Sequence, residues 1–234
     1  MRQRPKFHTI LLGALAALTP EAGAQVRSLT LGIQVNSPYG ISEPWVGLRE
    51  ELVKFPGIEW VSERPATQAE TCEVRPRGGR LLDASQLDEF IRNTGAGASL
   101  RGMEATVDGT LKKRDGKAVI RLAGTEEVLA LAALTQKVQY DFGNKKPHAP
   151  TQEERAAYDT LLARWGGEPR AVRITGPLTK AADQTLTLQV RQFESRAEQN
   201  DFKRKNTPGA TAPRSGSHAQ GGGESKGAPT QSKQ

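Results

Sequence analysis

Residues 103–122 read MEATVDGTLKKRDGKAVIRL, and how they pair decides the fold. Met103, Ala105 and Val107 alternate with Glu104, Thr106 and Asp108. That is the period of two expected where successive side chains point to opposite faces of a sheet. The alternation runs on through Leu111 to Asp115-Gly116, a dipeptide suited to the positive φ angles of a tight hairpin turn. Ala118, Ile120 and Leu122 alternate on the returning strand. The first of these strands therefore closes one unit upstream and opens another downstream.

Upstream, Leu29, Leu31, Ile33 and Val35 alternate as a strand. Ser42 is placed to cap a helix whose Trp45, Leu48, Leu52 and Phe55 share one face, and Pro56-Gly57 stops it. Two short strands follow over residues 58–64 and 70–75, read as a hairpin. Asp83 and Gln86 form a capping-box pair ahead of a helix burying Leu87, Phe90 and Ile91, which ends at Asn93-Thr94-Gly95. The order βαββαβ is that of a ferredoxin-like sandwich, two helices over one antiparallel sheet.

Downstream, 128–134 is a third apolar run after the hairpin. Thr151 and Glu154 make a second capping box, for a helix burying Tyr158, Leu161, Leu162 and Trp165 up to Gly166-Gly167. Val172 and Ile174, then Leu186, Leu188 and Val190, supply two last strands. Three strands, a helix and two strands resemble an OB-type barrel. The expected fold class is α+β: a ferredoxin-like sandwich over residues 27–102, then a small OB-like β-barrel domain with one helix over residues 103–194.

The ends of the chain read differently. Arg2, Arg4 and Lys6 precede a short apolar run over residues 10–18, and Ala22-Gly23-Ala24 supplies small residues for cleavage. This is the pattern of a Sec-type signal peptide over residues 1–24, cleaved after Ala24, and predicts a periplasmic or secreted protein. The run is about half the roughly 20 apolar residues a spanning helix requires, so a membrane-spanning chain is not expected. Residues 195–234 are rich in Gly, Ser, Gln, Lys and Pro and poor in apolar side chains, the composition of a disordered tail. The leader accounts for +2 and the tail for +4 of the +7 net charge, so the body is left near +1. A nucleic-acid footprint on the fold is therefore not predicted.

The first segment resembles the heavy-metal-associated domain family of copper chaperones and mercury-binding periplasmic proteins. The resemblance rests on the strand Leu29 to Val35, the helix end and turn Leu52 to Ile58, the hairpin around Val74 and the helix ending at Gly95. In that family a Cys-x-x-Cys pair between the first strand and first helix holds a soft metal ion. The matching positions here are Ile41 and Pro44, so neither ligand is present and metal binding of that kind is not expected.

The loop in that place, Ser37, Pro38, Tyr39, Gly40, Ile41, Ser42 and Glu43, is the candidate contact surface, with Tyr39 its one aromatic. Cys72 shares a strand face with Val74 and reads as a small core residue, with residual metal handling as its other reading. His148 sits in a Pro-flanked loop and His218 in the tail, with no ligand spacing between them. No nucleophile–base pair, nucleotide-binding motif or cofactor motif is framed by the sequence, so no catalytic residue and no cofactor is predicted. Trp45, Trp60, Trp165 and Tyr158 read as core anchors. The function expected is that of an exported, non-catalytic module binding a protein partner in the cell envelope. The alternative is a small ligand or oligosaccharide on the barrel, for which Tyr140 and Phe142 are the aromatic candidates.

Overall fold

The structure, a computed structural model, describes residues 25–35, 42–63, 65–141, 143–180 and 185–195. The expected signal peptide, most of the candidate loop, Phe142 and residues 196–234 lie outside the described residues. The elements run β1 (Val26–Val35), α1 (Ser42–Leu52), β2 (Ile58–Val61), β3 (Thr71–Pro76), α2 (Ala84–Asn93) and β4 (Ala98–Arg114). They continue with β5 (Lys117–Leu122), β6 (Val128–Ala133), the short pair β7 (Tyr140–Asp141) and β8 (Lys146–Pro147), and α3 (Gln152–Trp165). The last strands are β9 (Arg170–Lys180), β10 (Leu186–Val190) and β11 (Gln192–Ser195).

Nine of the strands form one continuous sheet in the order β11-β9-β10-β6-β5-β4-β1-β3-β2. The ferredoxin-like sandwich followed by a separate barrel is overturned by this sheet. The reason lies in β4, which is 17 residues long. Ala98 to Val107 pairs with β1, Gly109 to Arg114 with β5, and Met103 to Leu111 with β9. A strand has two edges, so β1 and β5 share one edge end to end while β9 takes the other. The β9 pairing begins at Met103, inside the stretch already paired with β1, so the sheet has no boundary there at which a separate sandwich could stop.

The β9–β4 pairing closes β4, β5, β6, β10 and β9 into a five-stranded barrel, with β6 and β10 parallel and the other pairs antiparallel. α3 joins the third barrel strand to the fourth, and the barrel fits the OB-like expectation. Two glycines permit the tight closure. A Cβ on Gly109 would stand 2.5 Å from the Arg121 carbonyl oxygen, and one on Gly176 only 1.6 Å from that of Gln189.

A single hydrophobic cluster fills both parts. Leu29, Leu31 and Ile33 of β1 meet Trp45, Leu48 and Leu52 of α1 and Leu87 and Ile91 of α2, while Val107, Leu111, Ile120, Leu131, Ile174 and Leu188 fill the barrel. Asp83 caps α2 as expected, accepting from the Ser85 and Gln86 amides. Thr151 and Glu154 form the full capping box on α3. Trp60 departs from its reading as a core anchor and is 38% exposed. A register irregularity between Ile58 and Trp60 sets the indole opposite Arg75, whose guanidinium lies 5.1 Å from the ring centre.

The connection from β6 to α3 crosses the reverse face of the sheet as a strap. Gln189 Oε1 accepts from the Thr135 amide at 2.8 Å and its hydroxyl at 3.0 Å. Val138 lies over Gly32, where a Cβ would come within 2.5 Å of its Cγ1. Arg101 holds the strap down: it donates to the Val138 carbonyl at 3.1 Å, pairs with Glu70 at 2.5 Å and stacks 4.3 Å from the Tyr140 ring centre.

Candidate functional site

The site is built where the ends of α1, β3 and α2 converge on the rim of the barrel. Phe55-Pro56-Gly57 forms the turn after α1, and a Cβ on Gly57 would come within 2.7 Å of a Leu82 methyl, so Leu82 lies flat against the turn. The Arg77 amide donates to the Gly57 carbonyl at 2.8 Å, tying the exit of β3 to the entry of β2. Gly78 and Gly79 both have φ of 63°, a left-handed backbone that lets the chain reverse within Arg77-Gly-Gly-Arg80. Leu81 and Leu82 then run into the Asp83 cap.

Two grooves meet along Leu81, Leu82 and Asp83. The larger, about 790 Å³, has Phe55, Pro56, Leu81 and Leu82 as apolar lining and Arg77, Arg80 and Gln86 as polar lining. The smaller, about 320 Å³, opens on the barrel side among Met103, Leu178, Lys180 and Leu186. The Gln86 amide holds the Asp83 carboxyl below the usual range, helped by the Ser85 amide and the Lys180 charge. Asp83 and Glu127 are the carboxylates of its lining, and among the described residues neither comes within ion-pair distance of an arginine. Arg27, Arg101, Arg173 and Arg191 each pair with a carboxylate, whereas Arg77 and Arg80 of the lining form no ion pair among the described residues.

A second cleft, about 370 Å³, opens beside the start of α3 among Thr151, Glu154, Arg164, Arg191 and Phe193. Two of its charged side chains, Glu154 and Arg191, are already spent on internal ion pairs, and Arg164 lies over the Phe193 ring. Glu154 pairs with Lys137 at 2.9 Å and with Arg191 at 3.2 Å, and Arg191 reaches Glu104 at 2.6 Å. A ligand there would compete with an internal network, whereas one in the trough would meet Arg80 and an Arg77 engaged by the Ile58 carbonyl at 3.4 Å, neither of them in an ion pair among the described residues.

Of the candidate loop, Ser37, Pro38, Tyr39, Gly40 and Ile41 lie outside the described residues, and Ser42 and Glu43 open α1. Pro44, matched to the family's second ligand position, is also in α1. Cys72 is 1% exposed, opposite Leu31, and burial pushes its thiol up to about 11 despite the nearby Arg49 charge. A thiol so protonated is a poor soft-metal ligand or nucleophile. Tyr140 is engaged internally, its ring under Arg101 and its hydroxyl donating to the Lys145 carbonyl. His148 is exposed, and its amide donates to Gln139. Among the described residues no three His, Cys, Asp or Glu side chains gather as a metal site. Arg77, Arg80, Leu81 and Leu82 were not singled out by sequence reasoning. The usable signal was three arginines in Arg75-Pro-Arg-Gly-Gly-Arg80 followed at once by two leucines, in a segment with neither period.

No family model, curated protein or solved structure matches the chain.

Proposed function

We propose that the chain is an exported, non-catalytic interaction module whose trough grips a protein partner in the cell envelope. The observation that carries the reading is the trough itself: an apolar floor of Phe55, Pro56, Leu81 and Leu82 beside Arg77 and Arg80, which have no carboxylate of their own. Such a surface suits a partner segment that inserts apolar side chains and presents carboxylates to the rim, where charge complementarity sets specificity. The leader-like residues 1–24 support the envelope as the compartment.

Capture from envelope extracts with the tagged protein tests this through its dependence on the trough. Leu82→Asp, and Arg77→Glu with Arg80→Glu, should each cut recovery of the captured partner about tenfold. Lys113→Glu with Lys117→Glu, near the tip of the β4–β5 hairpin, serves as the charge-matched control for the arginine pair and should leave recovery unchanged. Equal recovery by all four proteins, each with an unaltered unfolding midpoint, would sink the proposal.

A further inference from the structure

The large apolar side chains left exposed among the described residues are Val46 at 63%, Val53 at 53% and Trp60 at 38%. All three flank one feature, the edge of the sheet at β2. β2 is the terminal strand, paired on one side with β3 and on the other with nothing among the described residues. The Val53 amide donates to the Arg49 carbonyl at 3.2 Å, so the helical turn of α1 carries through that residue.

Helical geometry fixes which way the valines look. α1 buries Trp45, Leu48 and Leu52, and Phe55 beyond it packs edge-on against Phe90 of α2 with ring centres 5.2 Å apart. At roughly 100° per residue, Leu48 lies to one side of Leu52 and Arg49, Val46 and Val53 to the other, where the Arg49 charge acts on Cys72 beside the Ser62 backbone just past β2. That other flank faces away from α2. Since α2 rests on β4 and α1 on β2, it faces the open edge. The flank also carries an unanswered charge. Arg49 Nε is buried with no hydrogen-bond partner, and neither Arg49 nor the exposed Glu50 forms an ion pair among the described residues.

We infer that this edge and flank form a two-fold contact with a second copy of the chain. A two-fold axis normal to the sheet sets β2 antiparallel to β2 of the other copy and α1 antiparallel to its counterpart, an isologous arrangement. In the antiparallel helix register that sets Val46 of one copy against Val53 of the other, Arg49 falls opposite Glu50. The match occurs twice, once on each side of the axis. The charge complementarity within this short stretch selects the second copy over an unrelated strand. The Phe55-Pro56-Gly57 turn leads straight into β2, so the contact also sets the two troughs beside one axis.

Sedimentation equilibrium of the full chain from low to high micromolar concentration tests the contact. The expected mass rises with concentration from one chain to two. Arg49→Glu and Glu50→Arg should each weaken association about tenfold, while the double variant with both changes restores it to within about threefold. Val53→Lys, at an exposed position that leaves folding intact, should hold the chain at the mass of one copy. One chain mass throughout for the unaltered protein would overturn the inference. So would a dimer indifferent to Val53→Lys, or a double variant no stronger than the single ones.

Discussion

A hydrogen is all that position 176 can hold. Gly176 pairs with Ala105 across the seam that closes the barrel, and the Gln189 carbonyl crosses directly over its Cα. Gly176→Ala should therefore cost about 3 kcal/mol, because a methyl group would drive apart backbone that no side-chain rotation can relieve. Urea unfolding measures the loss; a cost below about 0.5 kcal/mol would mean that β9 and the β10–β11 junction are free to separate. Nothing in the surrounding residues marks this glycine, since its crowding comes from a carbonyl thirteen positions away. Cys72 is the opposite case: the alternation with Val74 placed it in the core, where it lies. Trp60 shows the limit of residue-type reasoning, because a register irregularity beside it turned a large aromatic outward.

At the scale of an element, α3 was legible from end to end, with its capping box at Thr151 and Glu154 and a stop at Gly166-Gly167. The second role of Glu154 was not. Burial pushes its carboxyl up, but the Lys137 ammonium, the Thr151 amide and the Arg191 guanidinium outweigh that and hold it at about 2 against an ordinary 4.5. A carboxyl lowered on folding contributes stability that is present above its unfolded pKa and lost as pH falls through the folded one. The protein should thus lose about 2 kcal/mol between pH 4.5 and pH 2 through this group, after allowance for solvent screening. Glu154→Gln should remove that share of the acid limb while lowering stability at neutral pH. Identical acid limbs for the two proteins in chemical unfolding at stepped pH would show that Glu154 is not held by its cations. Lys137, Arg191 and Glu104 come from the strap, the β10–β11 junction and β4, so no spacing in the sequence announces the network.

For the whole molecule, β4 is the spine. It serves β1, β5 and β9 at once, and the hydrophobic cluster is continuous across it. The full chain should unfold in one transition, with circular dichroism and tryptophan fluorescence coincident. Fragments covering residues 25–102 and 103–195, which divide β4 after Gly102, should each lack a cooperative transition. A cooperative transition in the 103–195 fragment alone would show that the barrel does not need β1 along its edge.

Local order determined much of this protein. The period of two along Met103 to Leu111, the stop at Pro56-Gly57 and the capping pairs located nearly every strand and helix, because those signals are written in near neighbours. Only the tertiary structure decided which edges meet. A period of two tells which face of a strand is buried and says nothing of what pairs with its edges. So the sequence shows that β4 is a strand, while its sharing among three partners, the closure at Gly176 and the trough at Leu82 arise from backbone brought together across long separations.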